Sequence, residues 1–163
     1  MLIFYINGYA ECGKDSFVAF VSNYCDSYSI STIDDVKEIC RREFGWDGVK
    51  DAKGRKLLAA VKQAWADYNN GPVITVKQHI DTHKDLGAAA LFIHVREMQQ
   101  MLHMQQLYGG ETIEVLRTNV QPNLTEDAFV VQQGKYCYDH NIDNNSTLDD
   151  LETKAQDFVL NYL

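Results

Sequence analysis

The stretch Gly8-Tyr9-Ala10-Glu11-Cys12-Gly13-Lys14-Asp15-Ser16 decides the fold of this 163-residue chain. It reads G-x-x-x-x-G-K-D-S, a pattern in which successive backbone N–H groups converge on a phosphate. The two glycines let the backbone approach the ligand, and Lys14 can reach the β and γ oxygens of a nucleotide. Average residue frequencies allow G-x4-G-K-x-[ST] by chance in fewer than about 1 % of chains of this size. The stretch therefore predicts a phosphate-binding loop.

The hydrophobic pattern on either side of the loop is the one that such a loop requires. Residues 2–6 form a short apolar run, which is typical of a strand buried on both faces of a parallel sheet. Beyond the loop, Phe17, Val18, Val21 and Tyr24 recur at helical spacing. We therefore expect a strand, a glycine-containing loop and a helix in the first 25 residues.

Farther along the chain, strand-like runs alternate with helical patterns. We expect strands over residues 28–33, 88–95, 112–117 and 136–143, and helices that begin near residues 34, 55, 97 and 148. Residues 73–80 fit either a helix or a strand, and Pro72 at a first helical position favours the helix. This alternation predicts an α/β domain whose parallel sheet is covered on both faces.

The composition excludes several classes of function. The chain has 15 Lys plus Arg against 23 Asp plus Glu, a formal net charge of −8. Such a balance argues against binding to a nucleic acid polymer or an anionic membrane, because both favour a basic surface. The four cysteines form no CxxC pair and are expected to be reduced thiols. We expect a cytoplasmic protein, and the sequence carries no signal for its oligomeric state.

One position departs from the common form of the loop. The residue after Lys14 usually carries a hydroxyl that meets Mg²⁺, but here it is Asp15, and Ser16 follows. The same offset is typical of small-molecule kinases related to adenylate kinase. Further family-like segments follow in order at residues 31–37, 54–58, 94–97 and 142–144. On these motifs the chain resembles the P-loop nucleoside monophosphate kinase group, and is most similar in pattern to bacteriophage-type deoxynucleoside monophosphate kinases and phosphomevalonate kinase.

The resemblance implies both a fold and an activity. The fold is a three-layer α/β/α P-loop NTPase fold with a five-stranded parallel sheet of order 2-3-1-4-5. Residues 1–163 would form one kinase domain, with an acceptor-binding helical part at about residues 34–85 and a lid loop at about residues 118–135. The implied activity transfers the γ-phosphoryl group of ATP, with Mg²⁺, to a small phosphorylated acceptor such as a nucleoside or deoxynucleoside monophosphate.

The candidate site residues fall into four groups. For catalysis they are Lys14, Arg96 and Arg117, and for ATP they are Gly8, Cys12, Gly13, Lys14, Asp15, Ser16 and Asn144. For the acceptor they are Asp34, Lys37, Arg41, Arg42, Arg55 and Arg96, and for Mg²⁺ they are Ser16 and Asp15. Arginine suits an acceptor phosphate because its planar fork binds two oxygens at once. Arg96 also follows an apolar strand, at the sheet edge where α/β folds bind ligands.

Two departures from the family pattern leave alternatives open. His94 stands where the third strand of the family ends in an acidic residue, and residues 118–135 contain no Arg and only one Lys, Lys135. The acceptor could instead be phosphomevalonate or dephospho-coenzyme A. The second alternative is a nucleotide-binding module without turnover.

Overall fold

The computed structural model describes residues 1–120 and 136–163, which alternate between strands and helices. The five strands are β1 (Leu2–Asn7), β2 (Ser27–Ser31), β3 (Ala90–His94), β4 (Glu111–Leu116) and β5 (His140–Asp143). The six helices are α1 (Lys14–Val21), α2 (Asp34–Phe44), α3 (Ala52–Asn69), α4 (Gly71–Asp85), α5 (Met98–Tyr108) and α6 (Leu148–Tyr162). The ambiguous segment at residues 73–80 is helical, as Pro72 favoured, and the helix expected near residue 55 begins earlier because the Asp51 side chain caps the Gly54 N–H.

All five strands are parallel and lie in the order β2-β3-β1-β4-β5. This confirms the order predicted from the sequence. In the register, Ile6 of β1 lies beside His94 of β3, and Asn7 lies beside Glu114 of β4. The carboxyl ends of the strands therefore meet at one edge of the sheet, where the loop after β1 also begins.

Two hydrophobic clusters cover the two faces of the sheet. Alternate residues of β1 point to opposite faces, so Phe4 and Ile6 join one cluster and Tyr5 joins the other. Helices α1 and α6 pack on the first face, and α4 and α5 pack on the second. The layers are therefore helix, sheet and helix, as predicted.

Helices α2 and α3 form a smaller cluster of their own. Val36 and Cys40 of α2 are buried against Leu58 of α3, with Trp46 and Trp65 packed beside them. These helices lie within residues 34–85, the segment for which the sequence predicts a role in acceptor binding. That role and the division into parts stay predictions.

Two expectations about the chain as a whole can be compared with the structure. All four cysteines are free. Within the two described ranges, no helix combines the length and the apolar character needed to cross a membrane. Of the expected lid at residues 118–135, all but the first three residues lie outside the described part of the chain.

Candidate active site

The loop between β1 and α1 has a backbone that only glycine can form at two positions. Gly8 has a φ of 139° and Gly13 a φ of 103°, in the range where a side chain is strained. A Cβ on Gly8 would lie 2.5 Å from the Val115 carbonyl oxygen, and one on Gly13 would collide with the Asn144 amide. The glycines of the motif are thus required by the structure of the loop itself.

Lys14, the first residue of α1, folds back over this loop. Its Nζ donates hydrogen bonds to the carbonyl oxygens of Gly8, at 2.8 Å, and Tyr9, at 2.6 Å. The Cys12 Sγ lies 3.7 Å from the same ammonium group. The positive charge of Lys14 therefore lies directly at the loop. The N–H groups of this loop and the amino end of α1 are suited to binding an anion.

Asn144 supports the loop from the far end of the chain. This residue is buried, and its Nδ2 donates to the Cys12 carbonyl oxygen at 2.8 Å, while its own N–H donates to Leu116 of β4 at 2.7 Å. The sequence-based hypothesis assigns both Asn144 and Cys12 to ATP binding. Burial raises the pKa of the Cys12 thiol, more than the nearby Lys14 charge lowers it. The thiol is therefore neutral, and because Cys12 is only 1 % exposed, it is expected to contact a nucleotide through its main chain rather than its side chain.

His94 lies where the loop, β2 and β3 converge. Its Nε2 is 3.0 Å from the Ser29 hydroxyl, and its Nδ1 is 3.6 Å from a carboxylate oxygen of Asp15. Burial lowers the pKa of His94, the carboxylates of Asp15 and Asp34 oppose that shift, and the cations of Lys14 and Lys37 add to it. Sequence reasoning treated His94 only as a missing carboxylate. Its position as the last residue of an apolar strand was the signal that could have identified it.

Two of the predicted acceptor residues reach this point. Asp34, at the start of α2, accepts a hydrogen bond from the Ser31 N–H at 2.7 Å and pairs with the Lys37 Nζ at 2.6 Å. Both charges act on His94, as does Lys14 of the loop. His94 therefore lies within electrostatic range of both the loop lysine and the first turn of α2.

Three of the predicted arginines, Arg41, Arg42 and Arg55, make contacts with residues close to them in the chain. Arg41 pairs with Glu38 at 3.6 Å and lies over the Trp46 ring, and Arg42 pairs with Glu43 at 2.6 Å. The Arg55 Nε donates to the Lys50 carbonyl oxygen at 2.8 Å. Arg96 and Arg117 are exposed just after β3 and β4. Lys14 and Lys37 both act electrostatically on His94, and a shared site for these lysines and the candidate arginines stays a prediction.

Buried polar groups on β1 and β4 were not anticipated from the sequence. Asn7 and Glu114 are neighbours in the register and are both buried, and Asn7 Nδ2 and Glu114 Oε1 have no hydrogen-bond partner among residues 1–120 and 136–163. The Tyr138 hydroxyl also has no partner in these ranges, and burial, with a smaller contribution from the charge of Glu114, raises its pKa. Burial raises the pKa of Glu114. The only available signal was a Glu at a position where the strand pattern points inward.

The first turn of α1 offers oxygen donors for a cation. Asp15 carries an exposed carboxylate, and Ser16 carries a hydroxyl on the next residue. Mg²⁺ is usually held by one or two such side chains together with waters and phosphate oxygens. Among residues 1–120 and 136–163, no group of three or more His, Cys, Asp or Glu could hold a metal ion. The donors at Asp15 and Ser16 fit Mg²⁺ that arrives with a nucleotide.

Comparisons with known proteins inform on the fold. No protein-family model matches this sequence, and no curated protein matches it. Among solved structures, TT1252 from Thermus thermophilus has a TM-score of 0.62 at 13 % identity, over 99 % of this chain and 98 % of that one. A sugar kinase from Janibacter sp., solved without ligand, has a TM-score of 0.57 at 9 % identity, over 98 % of this chain and 94 % of that one.

A putative kinase from Chloroflexus aurantiacus is also similar, with a TM-score of 0.53 at 10 % identity, over 98 % of this chain and 96 % of that one. At such low identities the likeness is one of fold, and it extends over nearly the whole of each chain. With the sheet order and the two helical layers, it confirms the predicted three-layer α/β/α fold with a five-stranded parallel sheet of order 2-3-1-4-5.

Proposed function

We propose that this protein is an ATP-dependent phosphotransferase that moves the γ-phosphoryl group of ATP to a small phosphorylated acceptor. The observation that carries the proposal is the loop at residues 8–16, with glycines at its two strained positions and the Lys14 ammonium folded over it. That combination of backbone donors, helix amino end and lysine suits a nucleotide triphosphate. The two fold neighbours described as kinases are consistent with it.

The residues of the loop bind and orient the nucleotide. On phosphate binding, Lys14 exchanges the carbonyl oxygens of Gly8 and Tyr9 for β and γ phosphate oxygens. Asp15 and Ser16 provide the oxygen donors for Mg²⁺, which when bound neutralises the charge of the phosphates. The catalytic contribution of the chain is therefore positioning and charge neutralisation.

An acceptor phosphate approaches from the α2 side of the loop in this proposal. An oxygen of that phosphate attacks the γ-phosphorus, the bond from the γ-phosphorus to the bridging oxygen breaks, and ADP leaves with the bonding electron pair. Phosphate monoesters have a second pKa of about 6, so the attacking oxygen is largely deprotonated at neutral pH and needs no general base. Lys37 and Asp34 are predicted acceptor residues whose charges act on His94 together with that of Lys14.

The class of acceptor rests on the resemblance of the motifs. We favour a nucleoside or deoxynucleoside monophosphate, with Asp34, Lys37, Arg41, Arg42, Arg55 and Arg96 as candidate contacts. Phosphomevalonate is the alternative acceptor that would use the same step. Dephospho-coenzyme A, the other alternative, has no terminal phosphate, so one of its hydroxyl oxygens would attack the γ-phosphorus and pass its proton to a base. We further propose that Arg96 and Arg117 act in catalysis, because both follow strands at the edge where the loop lies, and that the protein works in the cytoplasm.

A nucleotide-binding module without turnover is the second candidate function. Two features of the chain favour it: His94 ends β3 in place of an acidic residue, and residues 118–135 contain no Arg. Arginines commonly stabilise the transferring phosphoryl group, so their absence from this segment would slow transfer. Such a module would bind ATP but form no ADP.

The deciding experiment measures ADP formation with ATP and a panel of acceptors. The panel contains the eight common nucleoside and deoxynucleoside monophosphates, phosphomevalonate and dephospho-coenzyme A. We expect ADP to form only when one acceptor is present, and Lys14→Ala to abolish it. Lys77→Ala is the matched control, because Lys77 is a surface lysine whose ammonium pairs with Asp81 on α4.

The possible outcomes separate the two candidate functions. ATP binding that Lys14→Ala removes, without ADP from any acceptor, would establish the binding module and reject the kinase. An equal loss of activity in Lys14→Ala and Lys77→Ala would show that the loop has no specific role.

A further inference from the structure

The His94 side chain connects β2 to the first turn of α1. The imidazole is largely enclosed, with 13 % of its side chain exposed, and touches Ser29 through Nε2 and Asp15 through Nδ1. Its main chain is fixed by strand pairing to Ile6 on one side and Ser31 on the other. The ring is therefore held at a defined place beside the phosphate loop.

The surroundings of the two ring nitrogens favour one tautomer. At 3.6 Å the distance from Nδ1 to the Asp15 carboxylate is longer than a hydrogen bond, but a carboxylate oxygen attracts an N–H and repels a lone pair, so the proton is favoured on Nδ1. Nε2 then carries a lone pair and accepts from the Ser29 hydroxyl. In this arrangement Ser29 orients the ring, and the ring presents an N–H to Asp15.

The other charged groups around His94 already have hydrogen-bond or ion-pair partners. Lys14 donates to two loop carbonyls, and Asp34 is engaged by Lys37 and by the Ser31 N–H. Within residues 1–120 and 136–163, by contrast, the only ion-pair partner of Asp15 is His94. The carboxylate of Asp15 is otherwise open to solvent, with 97 % of its side chain exposed. One side of the Asp15 carboxylate thus faces the His94 imidazole, and the rest is open to solvent beside the loop at residues 8–16.

We infer that His94 is a positioning residue that directs the Asp15 carboxylate toward the Mg²⁺ that accompanies ATP. The inference rests on the proposed function, because it requires ATP to bind with Mg²⁺ at this site. It makes Asp15 of α1, and not a residue at the end of β3, the carboxylate that faces the ion. A histidine that orients a carboxylate is the counterpart of the carboxylates that commonly orient metal-binding histidines. A chain of contacts then runs from Ser29 on the edge strand β2, through His94, to Asp15 beside the proposed nucleotide site.

The test is the effect of Mg²⁺ on ATP affinity, measured by titration calorimetry with and without the ion. In the wild type we expect Mg²⁺ to increase the affinity, and we expect His94→Gln to reduce that increase by about tenfold, the usual effect of losing such an orienting group. ATP affinity without Mg²⁺ should change little. His83→Gln is the matched control. His83 lies on α4, is partly enclosed like His94, and packs on Tyr28 of β2, the strand that also carries Ser29.

Further variants separate positioning from a loss of folding. Asp15→Asn should remove the same part of the Mg²⁺ effect as His94→Gln, and the double variant should lose no more than Asp15→Asn alone. Ser29→Ala changes an exposed residue and should give a smaller loss in the same direction even if His94→Gln fails to fold. Nitrogen NMR of the wild-type imidazole should report a proton on Nδ1.

Three results would overturn the inference: additive losses in the double variant, an unchanged Mg²⁺ effect in Ser29→Ala together with a proton on Nε2, or an equal loss in the His83→Gln control. None of these readouts requires turnover. A wild type that binds Mg²⁺ and ATP as expected but forms no ADP would reject the proposed function and leave the role of His94 standing.

Discussion

The phosphate loop and helix α2 both border the proposed site, but different parts of the chain determine them. The loop is specified by its backbone: Gly8 and Gly13 have positive φ, and the Cys12 carbonyl is bound by a buried amide. The second half of α2 is specified by side chains that contact their own neighbours, such as Arg42 with Glu43. The loop therefore has one geometry, whereas the arginines of α2 can exchange their surface partners for a ligand at little cost.

This difference predicts which property of the protein a substitution should change. Changes in the loop should damage stability and nucleotide binding together, since the same atoms serve both. Changes on α2 should leave the fold intact and affect only the acceptor. Four predictions test this difference, beginning with the loop and ending with α2.

The largest effect is expected for Gly13→Ala. The new Cβ would meet the Asn144 amide, and the φ of 103° would add a strain of about 1–3 kcal/mol. We expect a marked loss in the free energy of unfolding and loss of ATP binding, measured by denaturant titration and calorimetry. Gly48→Ala is the control, because Gly48 has a similar φ of 92° but an added Cβ meets nothing within 4 Å. Equal losses in the two variants would show that strain alone, and not the contact with Asn144, specifies the loop.

Asn144→Ala should have the next largest effect. It removes a buried hydrogen bond and leaves the Cys12 carbonyl without that partner, which should cost about 1–3 kcal/mol of stability. We expect a matching rise in the Kd for ATP. Asn161→Ala removes an exposed amide bonded within α6 and should change neither quantity. A stable Asn144→Ala variant with normal ATP affinity would contradict the bracing role.

A smaller and pH-dependent effect is expected for Glu114→Gln, beside Asn7 at the end of β1. Because burial raises the pKa of Glu114 in the folded protein, the folded state binds this proton more tightly than the unfolded state. Its stabilising contribution is complete below the ordinary pKa of Glu and is lost as the pH rises through the raised value. The unfolding free energy of the wild type should therefore fall relative to Glu114→Gln across that window. Parallel curves for the two proteins would exclude a raised pKa.

The smallest structural effect is expected for Arg42→Ala, whose ion pair with Glu43 is 66 % exposed on the arginine side. The midpoint of unfolding should not move, because such pairs contribute little. If Arg42 contacts the acceptor, the KM for the acceptor should rise while the KM for ATP stays constant. A rise in the KM for ATP instead would mean that α2 and the loop are not separable.

The same contrast explains what the sequence could predict. The strand before the loop, the glycines and Lys14 follow from rules of backbone geometry and hydrophobic period, and these rules act locally. The sheet order followed from the family resemblance. The helix expected near residue 148 is α6, which begins where the Thr147 hydroxyl accepts a hydrogen bond from the Asp150 N–H. Features encoded in a few neighbouring residues were thus accessible.

The role of His94 was not accessible in the same way. Its partners Ser29 and Asp15 are 65 and 79 positions away in the chain, so their proximity depends on the assembled sheet. The pairing of Glu114 with Asn7 likewise requires the register of β1 and β4. Whether Arg41 and Arg42 reach an acceptor depends on side-chain choices among several possible partners, and neither the pattern nor the fold decides them.

The bond from Asn144 to Cys12 also has a consequence for how the protein is made. The two residues are 132 positions apart, and α6, whose Phe158 ring lies 5.6 Å from Phe17 of α1, follows later still. A ribosome therefore delivers the loop at residues 8–16 well before the residues that brace it. While the chain is growing, the loop has its glycines and its lysine but no brace, so its finished geometry must await the arrival of residues 144–158. Capture of ATP in that geometry would then report that synthesis has passed these residues.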